Sequence, residues 1–337
     1  MVDTSDEWIV ERTGIRERRL VSPGEATSDL AIEAARRALD DAGVAARDVD
    51  LIIVATACPD MLFPSTACLV QRALGARQAA AFDLAAACTG FIYALAMAEG
   101  TIAAGRAETV LVIAAETLSR ITDYADRATC ILFGDGAGAV VMRRARPADP
   151  TTGRPVGPAA DRAPESGLLS VFLAADGEGA DILSLPAGGS RRPASAETVA
   201  SGLHYIHMNG PEVFKFAVGA MVRAVRESLK ASSLSLADID LFVPHQANAR
   251  IVDAATRFLR VPPGKVFHTI EKYGNMSAAS IPISLDEARR QGRLRPGDSV
   301  LLVAFGAGMT YGGAVLRWGQ AASAAGEAPG AGVRQGG

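Results

Sequence analysis

Short apolar runs alternate with longer amphipathic ones along most of this chain. "LIIVATA" from Leu51, "TVLVIAAE" from Thr109, "AVVMRR" from Ala139, "LLSVFLAA" from Leu168, "LFVP" from Leu241 and "VLLVAFG" from Val300 are continuous and rich in Val, Ile and Leu. Strands covered on both faces read this way, because neither face meets water. Between them lie stretches with helical spacing: "DLAIEAARRALDDAG" from Asp29, "TGFIYALAMAEGTIAAG" from Thr89 and "PEVFKFAVGAMVRAVRESL" from Pro211. The alternation predicts an α/β fold with parallel-rich sheets.

The pattern is written twice. "DVDLIIVATA" from Asp48 matches "DIDLFVPHQA" from Asp238, and "ETVLVIAAE" from Glu108 matches "DSVLLVAFG" from Asp298, both at an offset of 190 residues. Looser echoes keep the order: "AAFDL" around Phe82 with "KVFHT" around Phe267, and "GAGAVVMRR" from Gly136 with "YGGAVLRW" from Tyr311. A repeat of this kind predicts two similar βαβ-rich halves, at residues 1–147 and 167–318. Residues 148–166, rich in Pro, Gly, Asp and Ser, read as a surface connection, and the low-complexity tail 319–337 as disordered. The strand "LLSVFLAAD" has no counterpart in the first half, because the same offset would place it about 20 residues before Met1. The first half is therefore expected to lack its opening strand, leaving a sheet edge less protected unless an upstream segment supplies it.

Composition narrows the function classes. Of 337 residues, 49% are hydrophobic and 21% charged, with a net charge of −3 and no Lys/Arg block, so a nucleic-acid partner is not expected. No apolar run reaches the ~18 to 20 residues that span a bilayer, and no signal peptide opens the chain, so a cytosolic protein away from the membrane is expected. Cys58, Cys68, Cys88 and Cys130 form no C-x-x-C pair and no disulfide framework.

Candidate chemistry gathers where strands end. Cys88 follows the strand-like "AAFDLA" and opens a helical run, where unpaired amides and the positive dipole end favour a thiolate; the same position suits a small buried residue. His245 follows "LFVP", and Asn275 in "EKYGNMSAAS" occupies nearly the position in the second half that Cys88 holds in the first. Together they make a nucleophile, a proton-handling group and a hydrogen-bond donor at the interface between halves; singly, His245 fits a buried histidine and Asn275 a turn residue. "GDGAGA" from Gly134 leads into a strand, so it lacks the strand-to-helix geometry of a nucleotide loop, whereas "FGAGMT" from Phe305 is placed to present amides to a carbonyl. His204 and His207 form an H-x-x-H with no third ligand at metal spacing, so no metal is expected.

"DTSDEWIVERTGIRER", "AAACTGF", "FGDGAGA", "VPHQANARI", "YGNMSAASIPISLDEA" and "LLVAFGAGMTYGGAVLRW" resemble β-ketoacyl-acyl-carrier-protein synthase III, a condensing-enzyme family, from about residue 3 to Trp318 in one register. The resemblance implies a thiolase-like fold in five α-β-α-β-α layers. It implies an acyltransferase joining an acyl-CoA primer to malonyl-acyl-carrier protein, with release of CO2 and CoA, through an acyl-Cys88 intermediate and with no cofactor. His245 and Asn275 would then support the malonyl-derived enolate, and the backbone N–H groups of Cys88 and Ala307 the acyl oxyanion. Trp8, Arg12, Thr13 and Arg127 would bind CoA. Lys215, Arg250 and Arg257 would dock the acidic carrier, with Arg223 and Arg226 on the helix of Lys215. Phe63 would reach across a homodimer into the neighbouring acyl pocket. Ala307 interrupts a run of glycines usual in the family. Two other readings stay open: a starter-unit condensing enzyme or acyltransferase of a polyketide or specialised pathway, and a non-catalytic CoA- or carrier-binding subunit.

Overall fold

The structure, a computed structural model, describes residues 2–145 and 166–319. Apart from Ser166 and Gly319, the predicted surface connection and tail lie outside the described residues.

Strands β1 (Leu51–Ala55), β2 (Ala80–Leu84), β3 (Thr109–Thr117) and β4 (Asp135–Arg143) form one sheet in the order β2-β1-β3-β4, with β4 alone antiparallel. Strand β5 (Gly167–Ala175) opens the second half, followed by a small ribbon of β6 (Leu183–Ser184) and β7 (His207–Met208). The second sheet adds β8 (Leu241–Pro244), β9 (Ser299–Gly306) and β10 (Thr310–Arg317) in the order β5-β10-β9-β8. Leu51 pairs with Val110 in the first sheet and Leu241 with Val300 in the second, so the offset of the sequence repeat is also the offset of the hydrogen-bond register.

The helices are α1 (Asp6–Thr13), α2 (Thr27–Ala42), α3 (Thr66–Leu74), α4 (Gly90–Ala103), a short α5 (Ala196–Ala200), α6 (Gly210–Ser232), α7 (Ala249–Leu259), a short α8 (Ile270–Tyr273) and α9 (Ser280–Arg290). Strand periodicity sorts them into layers. Leu51, Ile53 and Ala55 face inward onto Phe91, Ile92 and Leu95 of α4 and Ile281 and Leu285 of α9, which also touch Leu241, Val243, Val300 and Leu302 of the other sheet. Ile52 and Val54 face outward onto α2 and α3, while Phe242, Leu301 and Val303 face α6 and α7. Five layers result, as expected, and α4 is apolar nearly all round because it lies between two sheets.

The halves differ at one edge. Strand β10 is flanked by β9 and β5, but no strand lies outside β4 among the described residues, as the repeat anticipated. A groove of about 410 Å³ runs along β4 instead, lined by Leu30, Glu33 and Arg37 of α2, Gly136 and Gly138 of β4, and Ile283 of α9.

One expected strand shrinks. "KVFHT" makes a single bridge, Val266 to Phe242, because Pro262 and Pro263 precede it and Gln246 turns the chain directly after it. The Gln246 side-chain oxygen accepts from the backbone N–H of Thr269 and Ile270 (3.0 and 3.1 Å), which pulls the segment into α8. The "GDGAGA" glycines serve packing: a β-carbon at Gly136 would stand 2.6 Å from the Met276 sulfur, and one at Gly138 2.8 Å from Pro282.

Candidate active site

Two sharp turns, one per half, carry the proposed nucleophile and its opposite loop. After β2 the chain makes a 3-10 turn, Ala87–Thr89, that runs into α4; after α8 it makes another, Ser277–Ala279, that runs into α9. The first residue of each turn is left-handed without being glycine, Ala87 at φ 45° and Ser277 at φ 47°. A non-glycine residue there costs roughly 1–3 kcal/mol, so the surrounding packing must hold both turns in place. Cys88 and Ala278 are the second residues of these turns, which refines the expectation from sequence. The counterpart of Cys88 is Ala278, and Asn275 lies three residues earlier.

Cys88 and His245 both pack against the end of β9, and the turn that follows Asn275 packs against the Cys88 turn. A β-carbon on Gly306 would lie 2.7 Å from the Cys88 backbone nitrogen, so only glycine permits this approach. The neighbouring Phe305 ring meets the His245 imidazole edge-on, with centroids 5.6 Å apart. The turn that begins at Ser277 also packs against the Cys88 turn. The Ser277 backbone N–H donates to Asn275 Oδ1 at 2.9 Å, which leaves the Asn275 Nδ2 hydrogens to point elsewhere. Asn275 is pinned further by its own N–H to the Leu132 carbonyl, and its carbonyl accepts from Gly134. Across the half-to-half seam, Thr310 Oγ1 donates to the Ala86 carbonyl at 3.1 Å and lies 2.9 Å from Thr89 Oγ1.

Burial decides the electrostatics. His245 is 1% exposed, its Nδ1 has no hydrogen-bond partner among the described residues, and burial pulls its pKa down to about 3. At neutral pH the ring is uncharged, able to donate one N–H and to accept at the other nitrogen. The Cys88 thiol is pushed up to about 12, first by burial and then by the charge of Glu116, with the Ser277 hydroxyl pulling the other way. The helix-start position was expected to favour the thiolate. Desolvation in the closed site outweighs it, so the resting sulfur carries its proton.

Three positions were not singled out from sequence. Gln246 fixes the loop beyond His245, with Nε2 donating to the Pro244 carbonyl at 2.7 Å. Thr310 ties the turns across the seam. Glu116, at the end of β3, is fully buried with Oε2 accepting from the Ala57 N–H at 2.9 Å, yet Oε1 has no aligned donor. An acidic residue closing an otherwise apolar buried strand was the available signal.

Relatives decide the family. Profiles of 3-oxoacyl-[acyl-carrier-protein] synthase III and of its C-terminal region match residues 82–153 and 229–318. Beta-ketoacyl-[acyl-carrier-protein] synthase III of Symbiobacterium thermophilum is 53% identical over 320 residues, spanning 95% of this chain and 92% of its own length. The chain belongs to the β-ketoacyl-acyl-carrier-protein synthase III family. The crystal structure of the Thermus thermophilus synthase III matches with a TM-score of 0.82 at 47% identity, covering 95% of this chain and 92% of that one. The priming β-ketosynthase of a polyketide biosynthetic pathway matches with a TM-score of 0.83 at 36% identity, covering 95% and 90%. The protein is thus a thiolase-fold condensing enzyme of the acyltransferase type.

Around this synthase III site the remaining predicted residues separate. Two guanidinium groups lie against the Trp8 ring, Arg12 at 4.9 Å and Arg127 at 4.1 Å from its centroid. Thr13 does not join them as a donor: it is 2% exposed and its hydroxyl donates to the Ile9 carbonyl at 2.7 Å, closing α1. Asn248 Nδ2 donates to the Arg12 carbonyl, and α1 packs on α7, so the Trp8 cluster adjoins the helix of exposed Arg250 and Arg257. Lys215 and Arg226 are exposed on α6, while Arg223 of α6 donates to the Tyr311 hydroxyl at 2.7 Å. Phe63 is 84% exposed, beside Met61 and Leu62, on the loop that follows β1. His204 and His207 each have a local partner, the Thr198 hydroxyl and the Gly202 carbonyl. Among the described residues no helix is long and apolar enough to cross a membrane.

Proposed function

We propose that this synthase III joins an acyl-CoA primer to malonyl-acyl-carrier protein and so starts fatty-acid chains. The observation that carries the reading is the packing of Cys88 against Gly306 and of neutral His245 against Phe305, with the turn that follows Asn275 packed on the Cys88 turn, so that both halves contribute.

In the first step Cys88 sulfur attacks the acyl-CoA carbonyl and CoA leaves, giving an acyl-Cys88 thioester. The backbone N–H groups of Cys88 and Ala307, at the head of the turn after β9, receive the negative charge that builds on the carbonyl oxygen. Malonyl-carrier protein then binds, and loss of CO2 leaves an enolate at its thioester. An uncharged His245 and the freed Nδ2 of Asn275 donate to that enolate oxygen. They stabilise charge that develops only in the reaction and would trap a ground-state anion far less. The carbanion attacks acyl-Cys88, forms the new C–C bond and releases the thiolate. Every step uses thioesters and side chains alone, so the reading includes no cofactor.

Trp8 with Arg12 and Arg127 beside it supports stacking of the CoA adenine with guanidinium groups near its phosphates. Exposed Lys215, Arg250 and Arg257 support docking of an acidic carrier in a chain of net charge −3, since a local positive patch steers such a partner whatever the overall charge. Exposed Phe63 supports a homodimer in which it shapes the partner's acyl pocket, and the reduced cysteines a cytosolic setting. The proposed units remain 1–147 and 167–318, joined at 148–166.

Intact mass of the protein after incubation with a panel of acyl-CoAs tests the reading. Wild type should gain one acyl mass and the Cys88→Ser variant none as a thioester. Labelling elsewhere, or none with any acyl-CoA, overturns it.

A further inference from the structure

The two amides that receive the acyl oxyanion come from different halves of the molecule. Cys88 stands in the 3-10 turn Ala87–Thr89, and Ala307 opens a second one, Ala307–Met309, between β9 and β10. The early N–H groups of such turns meet no carbonyl inside the turn, so both can point at a ligand. They serve one oxygen only if the turns keep a fixed spacing, because an oxyanion donor works over a narrow range of about 2.7–3.1 Å. Gly306 lets the turns approach, but that contact alone does not fix their register. No backbone hydrogen bond joins the two turns among the described residues, and the second is left-handed at two successive residues, Gly308 at φ 73° and Met309 at φ 40°. A non-glycine residue in that region stays there only where its surroundings hold it.

One side chain spans the gap. Thr310, which ends the second turn, donates its hydroxyl hydrogen to the Ala86 carbonyl at 3.1 Å and to the Ala307 carbonyl at 3.2 Å. These are the same two carbonyls that close the turns from within: Ala86 accepts from the Thr89 N–H at 3.1 Å, and Ala307 from the Thr310 N–H. A hydroxyl has one hydrogen, here shared between two acceptors, so the Thr89 hydroxyl, 2.9 Å away, is the donor of the third bond. Thr89 is fully buried and closes the first turn as Thr310 closes the second. Each turn thus ends in a threonine, and the two hydroxyls meet between them.

We propose that Thr310 is a positioning residue for acylation, which sets the distance between the Cys88 and Ala307 amides so that both reach the same oxyanion. It touches no reacting atom. When the Cys88 sulfur adds to the acyl carbonyl, the C=O π electrons move onto oxygen, and they return as the C–S bond to CoA breaks. Only that transient charge depends on the paired amides. The enolate donors stand apart from this link, since His245 follows β8, Asn275 precedes the turn Ser277–Ala279, and the Thr310 hydroxyl bonds to neither. Threonine also suits the role because branching at its β-carbon leaves the hydroxyl few directions to point.

The inference rests on Cys88 as the acyl acceptor, which the mass measurement above tests separately. Two reactions of the same sulfur in the full chain test the positioning role: acylation by the acyl-CoA of that panel that labels wild type fastest, and alkylation by iodoacetamide, which displaces iodide at carbon and builds no oxyanion. Both rates are read as mass gain on the Cys88 peptide. Thr310→Val, which nearly keeps the shape and removes the hydroxyl, should slow acylation at saturating acyl-CoA by about ten- to a hundredfold. The alkylation rate, and the acyl-CoA concentration giving half the maximal acylation rate, should stay within about threefold of wild type. Thr310→Ser, which restores the hydroxyl, should bring acylation back to within about threefold. Thr310→Ala supplies the same comparison if the valine variant does not fold. Acylation at the wild-type rate without the hydroxyl overturns the proposal. So does equal slowing of acylation and alkylation, which a general loss of the Cys88 turn would give, and so does a serine variant as slow as the valine one.

Discussion

Superimposing one half on the other by the 190-residue offset pairs every reactive position with an unreactive one. Cys88 pairs with Ala278, His245 with Ala55, and Asn275 with Ala85, while Gly306 pairs with Glu116. Both halves keep the architecture: a left-handed first residue, a 3-10 turn, and a helix running between the sheets. The chemistry is divided between them, with Cys88 from the first and His245, Asn275 and Gly306 from the second. Absence of a side chain at Gly306, at the end of β9, leaves room beside the nucleophile. At the matching end of β3 the position is filled by the buried Glu116 carboxyl. A duplicated fold thus presents one open reaction site and one plugged by its own side chain, and the plug lies directly behind the site it mirrors.

This comparison can be broken in order of severity. Converting Cys88 to its twin's residue, Cys88→Ala, should remove acylation and cut condensation by about 10⁴-fold or more, while decarboxylation of malonyl-carrier protein persists because His245 and Asn275 remain. Loss of both activities together would mean that Cys88 also builds the enolate site. Asn275→Ala, the substitution its counterpart Ala85 represents, should lower condensation by ~10²–10³-fold with acylation within a few-fold of wild type. Equal loss in acylation and condensation would place the amide in both steps. Gly306→Ala brings a methyl group to 2.7 Å from the Cys88 nitrogen, so the turn must shift. We expect a stability cost of about 1–3 kcal/mol by denaturant unfolding and slower acylation, with unchanged stability and rate counting against a tight seam.

The smallest expected effect concerns acid stability. In the fold His245 stays uncharged until the pH falls to about 3, whereas the unfolded imidazole takes up its proton near 6.5. Between those values the unfolded chain binds more protons, so His245 stabilises the fold above pH 6.5 and that contribution is lost as pH falls toward 3. Glu116, raised in the fold, acts with the opposite sign from its unfolded value upward. Replacing His245 by Gln should therefore flatten the loss of stability between pH 6.5 and 5.5 by about 1 kcal/mol, measured by urea unfolding at both pH values. An unchanged slope would show that the ring titrates normally.

Much of this was legible in the chain. Runs such as "LIIVA" and "VLLVAFG" are apolar at every position, which only strands covered on both sides can be, and their repetition foretold paired sheets. His245 was visible because it follows such a run, Cys88 because it opens a helical one, and Asn275 because it holds nearly the place of Cys88 in the repeat. What was hidden depends on contacts between distant segments. That the Thr13 hydroxyl closes its own helix, and that Val266 bridges once and then turns because Gln246 captures the next amides, are facts of tertiary geometry. The Cys88 proton is the clearest case. A local rule about helix starts predicts a thiolate, and the burial that overrules it comes from residues more than a hundred positions away.

The uncovered edge of β4 makes the molecule its own control for local opening. β4 and β10 hold equivalent places beside β3 and β9, yet β10 is flanked on both sides and β4 on one among the described residues. In heavy water, alternate amides of β4 facing the groove should take up deuterium early, while their partners on β10 stay protected. The difference between two equivalent strands in one molecule then reports what a neighbouring strand contributes to slow exchange, with temperature and solvent held constant.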